Sequence, residues 1–398
     1  MLSFADIEKA AARIAGRVLH TPTLPCDAIG RLIGASVFLK LETFQATGSF
    51  KERGAANRLA LLSPAERAAG VITMSAGNHA QGVARHASLS GIAATIVMPR
   101  FTPATKVSRT ASWGARVELH GETLVESAAH AALLAEREGL AMVHPYDDPA
   151  VIAGQGTLAR ELIADAPEID TLVIPVGGGG MIAGAALAAA ALKPEIEIIG
   201  VEVETYPALA QRLAGKPVSV GGATIAEGIA VRDIGDLPFS IIRERVAEVL
   251  VVPEQTIEQA VALLAEGAKV IAEGAGAAAV AALLAFPDRF RGRRIGLPVC
   301  GGNIDPRVLA NVLLRNLLRD GRLLRLSLEI PDRPGVLADI AARIAAHEGN
   351  VIEVSHQRLF ASPSVQSAHL EVMVEARDPA HAEEITAALA SGSLLKRI

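Results

Sequence analysis

The sequence contains the stretch Thr47-Gly48-Ser49-Phe50-Lys51-Glu52-Arg53-Gly54, which places Lys51 just inside the start of a predicted helix, after a glycine turn. A lysine beside Phe50 and near a helix N-terminus loses hydration and feels the positive end of the helix dipole, and both effects lower its pKa. A free lysine has a pKa of about 10.4, so an amine that is neutral near pH 7 needs a shift of about 3 units, or roughly 4 kcal/mol. An ordinary solvated first-turn lysine is the alternative that this stretch leaves open.

Composition and charge narrow the class of protein. The 398 residues, 51% hydrophobic and 20% charged, predict two or three globular domains. The net charge of -5 and the lack of a long basic run argue against nucleic acid as the main partner. Cys26 and Cys300 are too few and too far apart for a disulfide framework or a repeated C-x2-C zinc site, which favours the cytoplasm.

Targeting and membrane signals are not found in the sequence. The N-terminus has no basic start and carries acids where a signal peptide would be apolar. The alanine-rich runs 181–192 and 275–286 are too short to span a membrane, so they predict buried helices with close backbone packing. We therefore expect no export and no membrane partner.

Short apolar runs alternate with helical stretches along most of the chain, after a first predicted helix over 3–15. The predicted strands lie at 36–41, 71–74, 93–98, 115–119, 171–176, 197–203 and 295–299. This alternation predicts an α/β fold with a largely parallel sheet. Ligands collect at the carboxyl ends of such strands, so the loops that follow them are candidate sites.

The loop after the predicted strand 71–74 is small and polar and leads into a helix. It reads Ser75-Ala76-Gly77-Asn78-His79. Free backbone N–H groups at such a helix start can hold a carboxylate. Asn and Ser are also common helix caps, so the sequence is equally compatible with a purely capping role.

Four consecutive glycines follow the predicted strand 171–176, in the order Gly177, Gly178, Gly179, Gly180, and Met181 comes next. Such a loop brings several N–H donors to one anion, and the following helix adds its positive end, which favours phosphate binding. A tight turn for close packing is the alternative, although one or two glycines would serve it. The run is neither a P-loop nor a full dinucleotide fingerprint. Acids over 197–202 allow an NAD site, but that would leave Lys51 unexplained.

The loop after the predicted strand 295–299 reads Cys300-Gly301-Gly302-Asn303. A cysteine at a strand end can be a nucleophile, a small buried hydrophobe or a weak hydrogen-bond partner. The segment contains no histidine that could activate the thiol, so all three roles stay open at this point.

The character of the chain changes near residue 322. Predicted strands at 322–330, 350–360, 366–376 and 394–398 alternate with helices at 336–347 and 379–389. This βαββαβ order describes a small ferredoxin-like domain. We therefore predict two domains, 1–321 and 322–398, joined through the region 311–321.

Taken together, the loops resemble those of the threonine ammonia-lyase (threonine dehydratase) family of pyridoxal phosphate enzymes, which shares its fold with tryptophan synthase β chains. The resemblance runs from about residue 4 to the end of the chain, and Pro331-Asp332-Arg333-Pro334-Gly335 belongs to a module that resembles an ACT domain. It implies a two-lobed catalytic domain over 1–321, with a small lobe at about 50–150, and an ACT regulatory domain over 322–398.

The resemblance also implies a role for each motif. Lys51 would carry pyridoxal 5'-phosphate and act as the catalytic base, with Phe50 beside the cofactor ring. Asn78 would bind the 3-hydroxyl, and the glycines 177–180 with Met181 would bind the phosphate. Cys300 would face the pyridine nitrogen as a neutral group, which suits elimination rather than transamination. Ser75, Ala76, Gly77, Asn78 and His79 would hold the substrate carboxylate.

The implied reaction is deamination of L-threonine to 2-oxobutanoate and ammonia, and of L-serine to pyruvate. Serine racemase shares the fold, but its second acid/base serine stands where this chain has Ala76. A catalytically silent amino-acid-binding protein is the alternative from another class. We expect no divalent metal site. Relatives that bind such a metal have an aspartate six positions after a glutamate, whereas this chain has Ala208 at that spacing after Glu202. We also expect an amino-acid effector at the ACT domain and a homodimer or homotetramer.

Overall fold

The computed structural model describes residues 2–358, 366–390 and 394–397. The chain divides into two compact units, of which the first ends at Ile304 and the second begins at Asp305. The sequence places the boundary later, at residue 321, because the helix Pro306–Arg319 carries no signal that assigns it to either side. In the structure this helix belongs to the second unit, where it packs against the first strand of that unit.

The strands of the first unit lie between residues 23 and 299. They are β1 (Thr23–Pro25), β2 (Ser36–Leu41), β3 (Val71–Met74), β4 (Ala94–Met98), β5 (Arg116–Leu119), β6 (Ala141–Met142), β7 (Thr171–Pro175), β8 (Glu197–Val203), β9 (Glu248–Val252) and β10 (Arg294–Val299). Each strand predicted from the sequence in this unit is confirmed, with ends within one residue. The predictions did not include β1, β6 and β9.

The helices of the first unit surround these strands. They are α1 (Phe4–Ile14), α2 (Asp27–Ile33), α3 (Lys51–Ala60), α4 (Pro64–Ala69), α5 (Asn78–Leu89), α6 (Ala104–Ser112), α7 (Leu124–Glu138), α8 (Pro149–Asp165), α9 (Gly180–Leu192), α10 (Ala208–Leu213), α11 (Asp236–Arg245), α12 (Glu254–Leu263), α13 (Gly274–Ala285) and α14 (Pro287–Phe290).

Two sheets form the two lobes of the first unit. The larger sheet has the order β1-β2-β10-β7-β8-β9, in which only β1 is antiparallel to its neighbour, and the smaller sheet has the parallel order β5-β4-β3-β6. The smaller sheet is built from the chain between β2 and β7, which confirms the predicted two-lobed α/β fold. The three candidate loops follow β3, β7 and β10, so each lies at the carboxyl end of a strand.

Both alanine-rich runs form helices that are buried nearly all round. In α9 and α13 the first ten residues are buried, as predicted, because small side chains let neighbouring backbones approach closely. The crossing of α3 and α8 is equally close, since a Cβ added at Gly154 would lie 2.5 Å from the carbonyl oxygen of Arg53. Within the described residues, the longest apolar helix is too short or too polar to cross a bilayer.

The second unit has the predicted βαββαβ order after an additional helix. Its elements are α15 (Pro306–Arg319), β11 (Leu323–Pro331), α16 (Val336–Ala346), β12 (Asn350–Gln357), β13 (Ser367–Glu375), α17 (Pro379–Ala390) and β14 (Leu394–Arg397). The sheet is antiparallel with the order β12-β13-β11-β14, and the helices α16 and α17 pack on its buried face. The prediction that strands reach Phe360 and Ile398 falls on residues outside the described part.

Candidate active site

Lys51 is the first residue of α3 and projects between the two lobes. Its Nζ donates to the carbonyl oxygen of Pro145 at 2.8 Å and lies 5.3 Å from the centre of the Phe50 ring. The preceding residue is fixed from the other side, because the Phe50 N–H donates to the carbonyl oxygen of Cys300 at 3.0 Å. The lysine loop and the loop after β10, which the sequence separates widely, therefore lie side by side.

The surroundings of Lys51 favour its neutral form. Loss of hydration lowers the pKa of Lys51 to about 8, while the nearby Cys300 opposes the shift as a smaller effect. The pKa of Lys51 is thus lowered, in the direction predicted from the neighbouring Phe50 and the helix start. At pH 8 about half of the molecules would carry an unprotonated amine, which is the form that can attack an aldehyde or accept a proton.

Asn78 stands at the start of α5 in a chain of polar contacts. Its side-chain Nδ2 donates to Glu273 Oε1 at 2.6 Å, and its Oδ1 accepts from Asn303 Nδ2 at 2.7 Å. Asn303 also donates to the carbonyl oxygen of Thr47 at 2.7 Å, within the lysine loop. These contacts join the loops after β3 and β10 to the lysine loop, so the amide of Asn78 has a fixed orientation.

Glu273 was not predicted as a site residue, and its sequence context carries no signal for it. It lies just before α13, and only the fold brings it to Asn78 and to the Gly301 carbonyl oxygen, which accepts from its N–H at 3.0 Å. Burial raises the pKa of Glu273 to about 7, with Glu227 adding to the rise and the hydrogen bond from Asn78 opposing it.

A Glu273→Gln variant should therefore be more stable than the wild type at alkaline pH. A raised folded-state pKa gives a stability contribution that is complete below about 4.5 and is lost as the pH rises through about 7. We expect the free energy of unfolding of the cofactor-free variant to exceed that of the wild type by up to about 3 kcal/mol at pH 8. Urea unfolding between pH 5 and pH 8 measures this difference.

The exposed Glu195→Gln variant is the matched control for that experiment, since it removes the same charge from a solvated position. Substitutions at such surface positions usually change stability by less than about 0.5 kcal/mol, so this variant should unfold like the wild type at each pH. If the free energies of unfolding of Glu273→Gln and the wild type differ by the same amount from pH 5 to pH 8, Glu273 is ionised in the folded protein over that whole range.

The loop after β3 offers backbone donors for a carboxylate. In the described part of the chain the N–H groups of Ala76, Asn78 and His79 have no protein acceptor, while the N–H of Gly77 donates to Ser75 Oγ at 3.2 Å. They lie where α5, a helix of 12 residues, begins, so its positive end adds to their attraction for an anion. A role for the Asn78 side chain in capping α5 is disfavoured, because this side chain forms hydrogen bonds with Glu273 and Asn303 instead.

The imidazole of His79 is placed differently from its neighbours. Its Nε2 lies 3.0 Å from the carbonyl oxygen of Val143, and its Nδ1 is buried without a partner among the described residues. Burial and the nearby Lys51 lower the pKa of His79 to about 3, so the ring is neutral. Because Nε2 carries the proton that it donates to Val143, Nδ1 of the neutral ring has no proton. The side chain of His79 therefore cannot donate to a substrate carboxylate, and only its backbone N–H can.

The glycine run forms a loop that side chains would block. A Cβ added at Gly178 would lie 2.2 Å from Cγ of Tyr146, and one added at Gly180 would lie 2.9 Å from the Tyr146 carbonyl oxygen. Gly179 has φ +92°, which side chains disfavour. In the described chain the N–H groups of Gly177, these three glycines and Met181 have no protein acceptor. Close packing explains the glycines, and the unpaired donors at the start of α9 suit a phosphate.

Cys300 is buried and held as a neutral thiol. Its Sγ donates to the carbonyl oxygen of Ala275 at 3.4 Å. Burial raises its pKa well above the ordinary value, and Glu273 adds to the rise. The thiolate that a nucleophile requires is disfavoured, which leaves a small buried group with a weak donor.

Two further residues lie in the loop before α8 and contact neighbouring segments. Asp147 accepts hydrogen bonds from the N–H groups of Asp236 and Leu237, at 3.1 and 3.2 Å, and so fixes the loop before α8 against the start of α11. Tyr146 packs over the glycine loop, and burial raises its pKa to about 12. The sequence did not indicate these contacts, because they join segments that only the fold brings together.

Glu202, the position considered for a cation, has another partner in this structure. Its carboxylate accepts from the N–H groups of Leu209 and Ala210, at 2.7 and 2.9 Å, at the start of α10. Burial raises its pKa to about 7. Among the described residues there is no group of three or more acidic, histidine or cysteine ligands. Independence from divalent metals stays a prediction.

Two family models match the chain. The model described as pyridoxal-phosphate dependent enzyme matches residues 14–301, and the ACT domain model matches residues 324–391. The fold, the lysine between two lobes and the glycine loop therefore define a pyridoxal-phosphate-dependent enzyme with a C-terminal ACT domain.

Similar proteins narrow this class. The L-threonine ammonia-lyase of Thermotoga maritima is 40% identical over 97% of this chain and 96% of its own length. Among solved structures, the T.th. threonine deaminase is 38% identical with a TM-score of 0.72, covering 76% of this chain and 99% of its own. Maize serine racemase is 36% identical with a TM-score of 0.74, covering 80% and 98%. The chain belongs to the threonine ammonia-lyase family of pyridoxal-phosphate dependent enzymes.

Proposed function

We propose that this protein deaminates L-threonine to 2-oxobutanoate and ammonia, and L-serine to pyruvate, with pyridoxal 5'-phosphate as its cofactor. The observation that carries the proposal is a partly buried amine of lowered pKa, Lys51, beside two loops in which several backbone N–H groups have no protein acceptor among the described residues. The full-length similarity to an L-threonine ammonia-lyase supports the same substrate class.

The residues present fit the cofactor. The donors at Gly177 to Met181 suit its phosphate, and the fixed amide of Asn78 suits its 3-hydroxyl. Cys300 is a neutral group suited to the pyridine nitrogen, and Phe50 offers an apolar surface beside Lys51. Bound pyridoxal phosphate supplies an electron sink for the charge that develops when the substrate loses its α-proton.

The chain's own groups perform the remaining tasks. The neutral amine of Lys51 removes the α-proton, because its lowered pKa leaves it able to accept one near pH 8. The N–H groups of Ala76, Asn78 and His79 hold the substrate carboxylate at the start of α5. Tyr146 packs over the glycine loop.

Racemisation of serine is the second candidate, because a serine racemase is among the similar structures. A racemase needs an acid/base group on the face opposite the lysine. This chain has Ala76 at the position where the resembled racemase carries its serine, and a methyl group cannot exchange a proton. Chiral analysis of products from L-serine tests the choice: we expect pyruvate and ammonia, and substantial D-serine would support racemisation instead.

The C-terminal unit is proposed to sense an amino acid and to take part in assembly into a homodimer or homotetramer. A cavity of about 250 Å³ lies beside the start of α16 and is lined by Asp332, Arg333, His356 and Arg358 among others. Asp332 and Arg358 form an ion pair with each other at 2.9 Å, and with Arg333 they place charges of both signs beside a zwitterionic ligand. Isoleucine and valine are the effectors to test. A ligand there changes turnover only if it binds one state better than another, typically by about 1–3 kcal/mol.

Truncation after Gly321 should leave an active, cofactor-loaded core that no longer responds to isoleucine or valine. The first unit has its own core, and the similar T.th. threonine deaminase matches only 76% of this chain while being covered over 99% of its own length. We expect kcat within about threefold of the full chain. A second truncation after Ile304 removes α15 as well and controls for exposure of its apolar face.

Steady-state assays with and without effector decide the outcome. A truncated core that folds and binds cofactor but does not turn over L-threonine would show that the C-terminal unit is required for chemistry. A core that still responds to isoleucine would place the effector site in the first unit.

A further inference from the structure

Arg53, two positions after the catalytic lysine, is a charged residue that the proposed chemistry does not use. Arg53 is 0% exposed and Glu42, its main partner, is also 0% exposed. Charged side chains are rarely buried completely unless they are paired. A guanidinium enclosed two residues after Lys51 on the same helix therefore requires an explanation.

Two carboxylates from different elements hold the guanidinium. Glu42, in the turn after β2, accepts from Nε and Nη2 at 2.9 and 2.7 Å, and Glu161 on α8 accepts from Nη1 and Nη2 at 2.7 and 2.8 Å. Thr157 Oγ1 and the Leu19 carbonyl oxygen take further bonds at 3.1 and 3.3 Å. The fork geometry of arginine is needed here, since a lysine has a single point of charge.

The partners of Arg53 are themselves fixed. Lys40, fully buried at the end of β2, donates to Glu161 at 2.9 Å, to Asp165 at 3.2 Å and to the carbonyl oxygen of Thr21 at 2.7 Å. The sheet strand β2 and the helix α8 are thereby joined to the first turn of α3. The close crossing at Gly154, against the carbonyl oxygen of Arg53, fixes the same turn through its backbone.

Stability alone is a weak reason for such a network. Burying paired charges costs desolvation energy that their attraction often only offsets, and apolar residues of similar volume can stabilise a fold equally well. What the network does define is direction, because two bidentate contacts permit one orientation of Arg53 and hence of the helical turn that begins at Lys51.

We propose that Arg53, clamped between Glu42 and Glu161, is a positioning residue that sets where the amine of Lys51 lies between the lobes. It does not touch the reacting atoms; it acts through the backbone of the first turn of α3. The inference rests on the proposed role of Lys51 as the catalytic base. A displacement of about 1 Å at a reacting group can lower a rate about 10²-fold.

The test compares Arg53→Lys with the wild type in two measurements. The first is turnover of L-threonine by the holoenzyme, for which we expect kcat to fall about 10–100-fold while KM changes less than about threefold. The second is the pH dependence of labelling of Lys51 by an amine-directed reagent in cofactor-free protein, read by mass spectrometry. The wild-type midpoint should lie near pH 8, and the variant's should move towards the ordinary lysine value of 10.5.

Arg160→Lys is the matched control, since Arg160 neighbours Glu161 on α8 and pairs with Glu8 away from the site. Both of its measurements should match the wild type. If Arg53→Lys does not fold, Glu161→Gln is the deciding variant, because it removes one of the two carboxylates that hold Arg53. Arg53 keeps its ion pair with Glu42, and Lys40 keeps its ion pair with Asp165. We expect a kcat about tenfold lower and a raised labelling midpoint.

Wild-type kcat and an unchanged labelling midpoint in a folded Arg53→Lys or Glu161→Gln variant would overturn the proposal. The labelling experiment uses no substrate, so it separates this inference from the proposed function. A shifted midpoint in a protein whose wild type does not deaminate L-threonine would leave Arg53 as a positioning residue and contradict the proposed reaction.

Discussion

Lys51→Ala should lose at least about 99% of the deamination of L-threonine, a fall of about 10²-fold or more. The variant loses the amine that we propose as the base for the α-proton, and loss of such an acid/base group lowers kcat about 10²–10⁴-fold. It also loses the attachment point for the cofactor, so borohydride reduction of the wild type should fix pyridoxal phosphate to the peptide that contains Lys51, while the variant retains none. Peptide mass spectrometry after reduction measures this.

Lys9→Ala controls for removing a lysine as such, because Lys9 is solvent-exposed on α1. It should keep wild-type turnover and covalent labelling at Lys51. A reduced Lys51→Ala variant that still held cofactor covalently would assign the attachment to another lysine and would contradict the account of the site.

The second large effect is expected from the glycine loop. Gly179→Ala places a side chain at φ +92°, where its Cβ would lie 2.9 Å from Cβ of Pro238 and 3.0 Å from Cδ1 of Ile242. The loop must shift, and the N–H groups at the start of α9 would no longer converge on one anion. We expect retention of pyridoxal phosphate to weaken about 10–100-fold, equal to the loss of about 1.4–3 kcal/mol of hydrogen bonding to a charged group.

Gly215→Ala is a suitable control, because this glycine also has a positive φ, +66°, but no atom lies within 4 Å of an added Cβ. It should lose about 1–2 kcal/mol of stability from backbone strain alone and keep its affinity for the cofactor. Equilibrium dialysis of pyridoxal phosphate against both variants separates the two effects. Equal affinity in the two variants would show that the loop does not bind the phosphate.

Features encoded locally could be predicted from the sequence. The strands β3, β4, β5, β7, β8 and β10 each appear as a short apolar run. The loops after β3, β7 and β10 lie at the carboxyl ends of strands in the two sheets, which is where ligands collect. The short strands β1 and β6 lack such a run. The lysine, the asparagine loop and the glycine loop could therefore be named before their distances were known.

Contacts between distant segments could not be predicted in this way. Glu273 lies 195 positions from Asn78, and nothing in its neighbours indicates that it would accept a hydrogen bond from it. The same holds for Arg53, Glu42 and Glu161, which look like ordinary surface charges in the sequence. The side chain of His79 is a related case, because only the fold shows that its Nε2 faces Val143.

The most direct test of the proposed reaction is the product balance of the purified protein loaded with pyridoxal phosphate. L-threonine is supplied, and 2-oxobutanoate is measured by a coupled reductase assay alongside free ammonia and the remaining threonine. The proposed reaction predicts equal molar amounts of 2-oxobutanoate and ammonia, formed at about 1–10³ s⁻¹ by the wild type and at least about 10²-fold more slowly by Lys51→Ala. Threonine recovered unchanged, or 2-oxobutanoate formed equally well by Lys51→Ala, would contradict it.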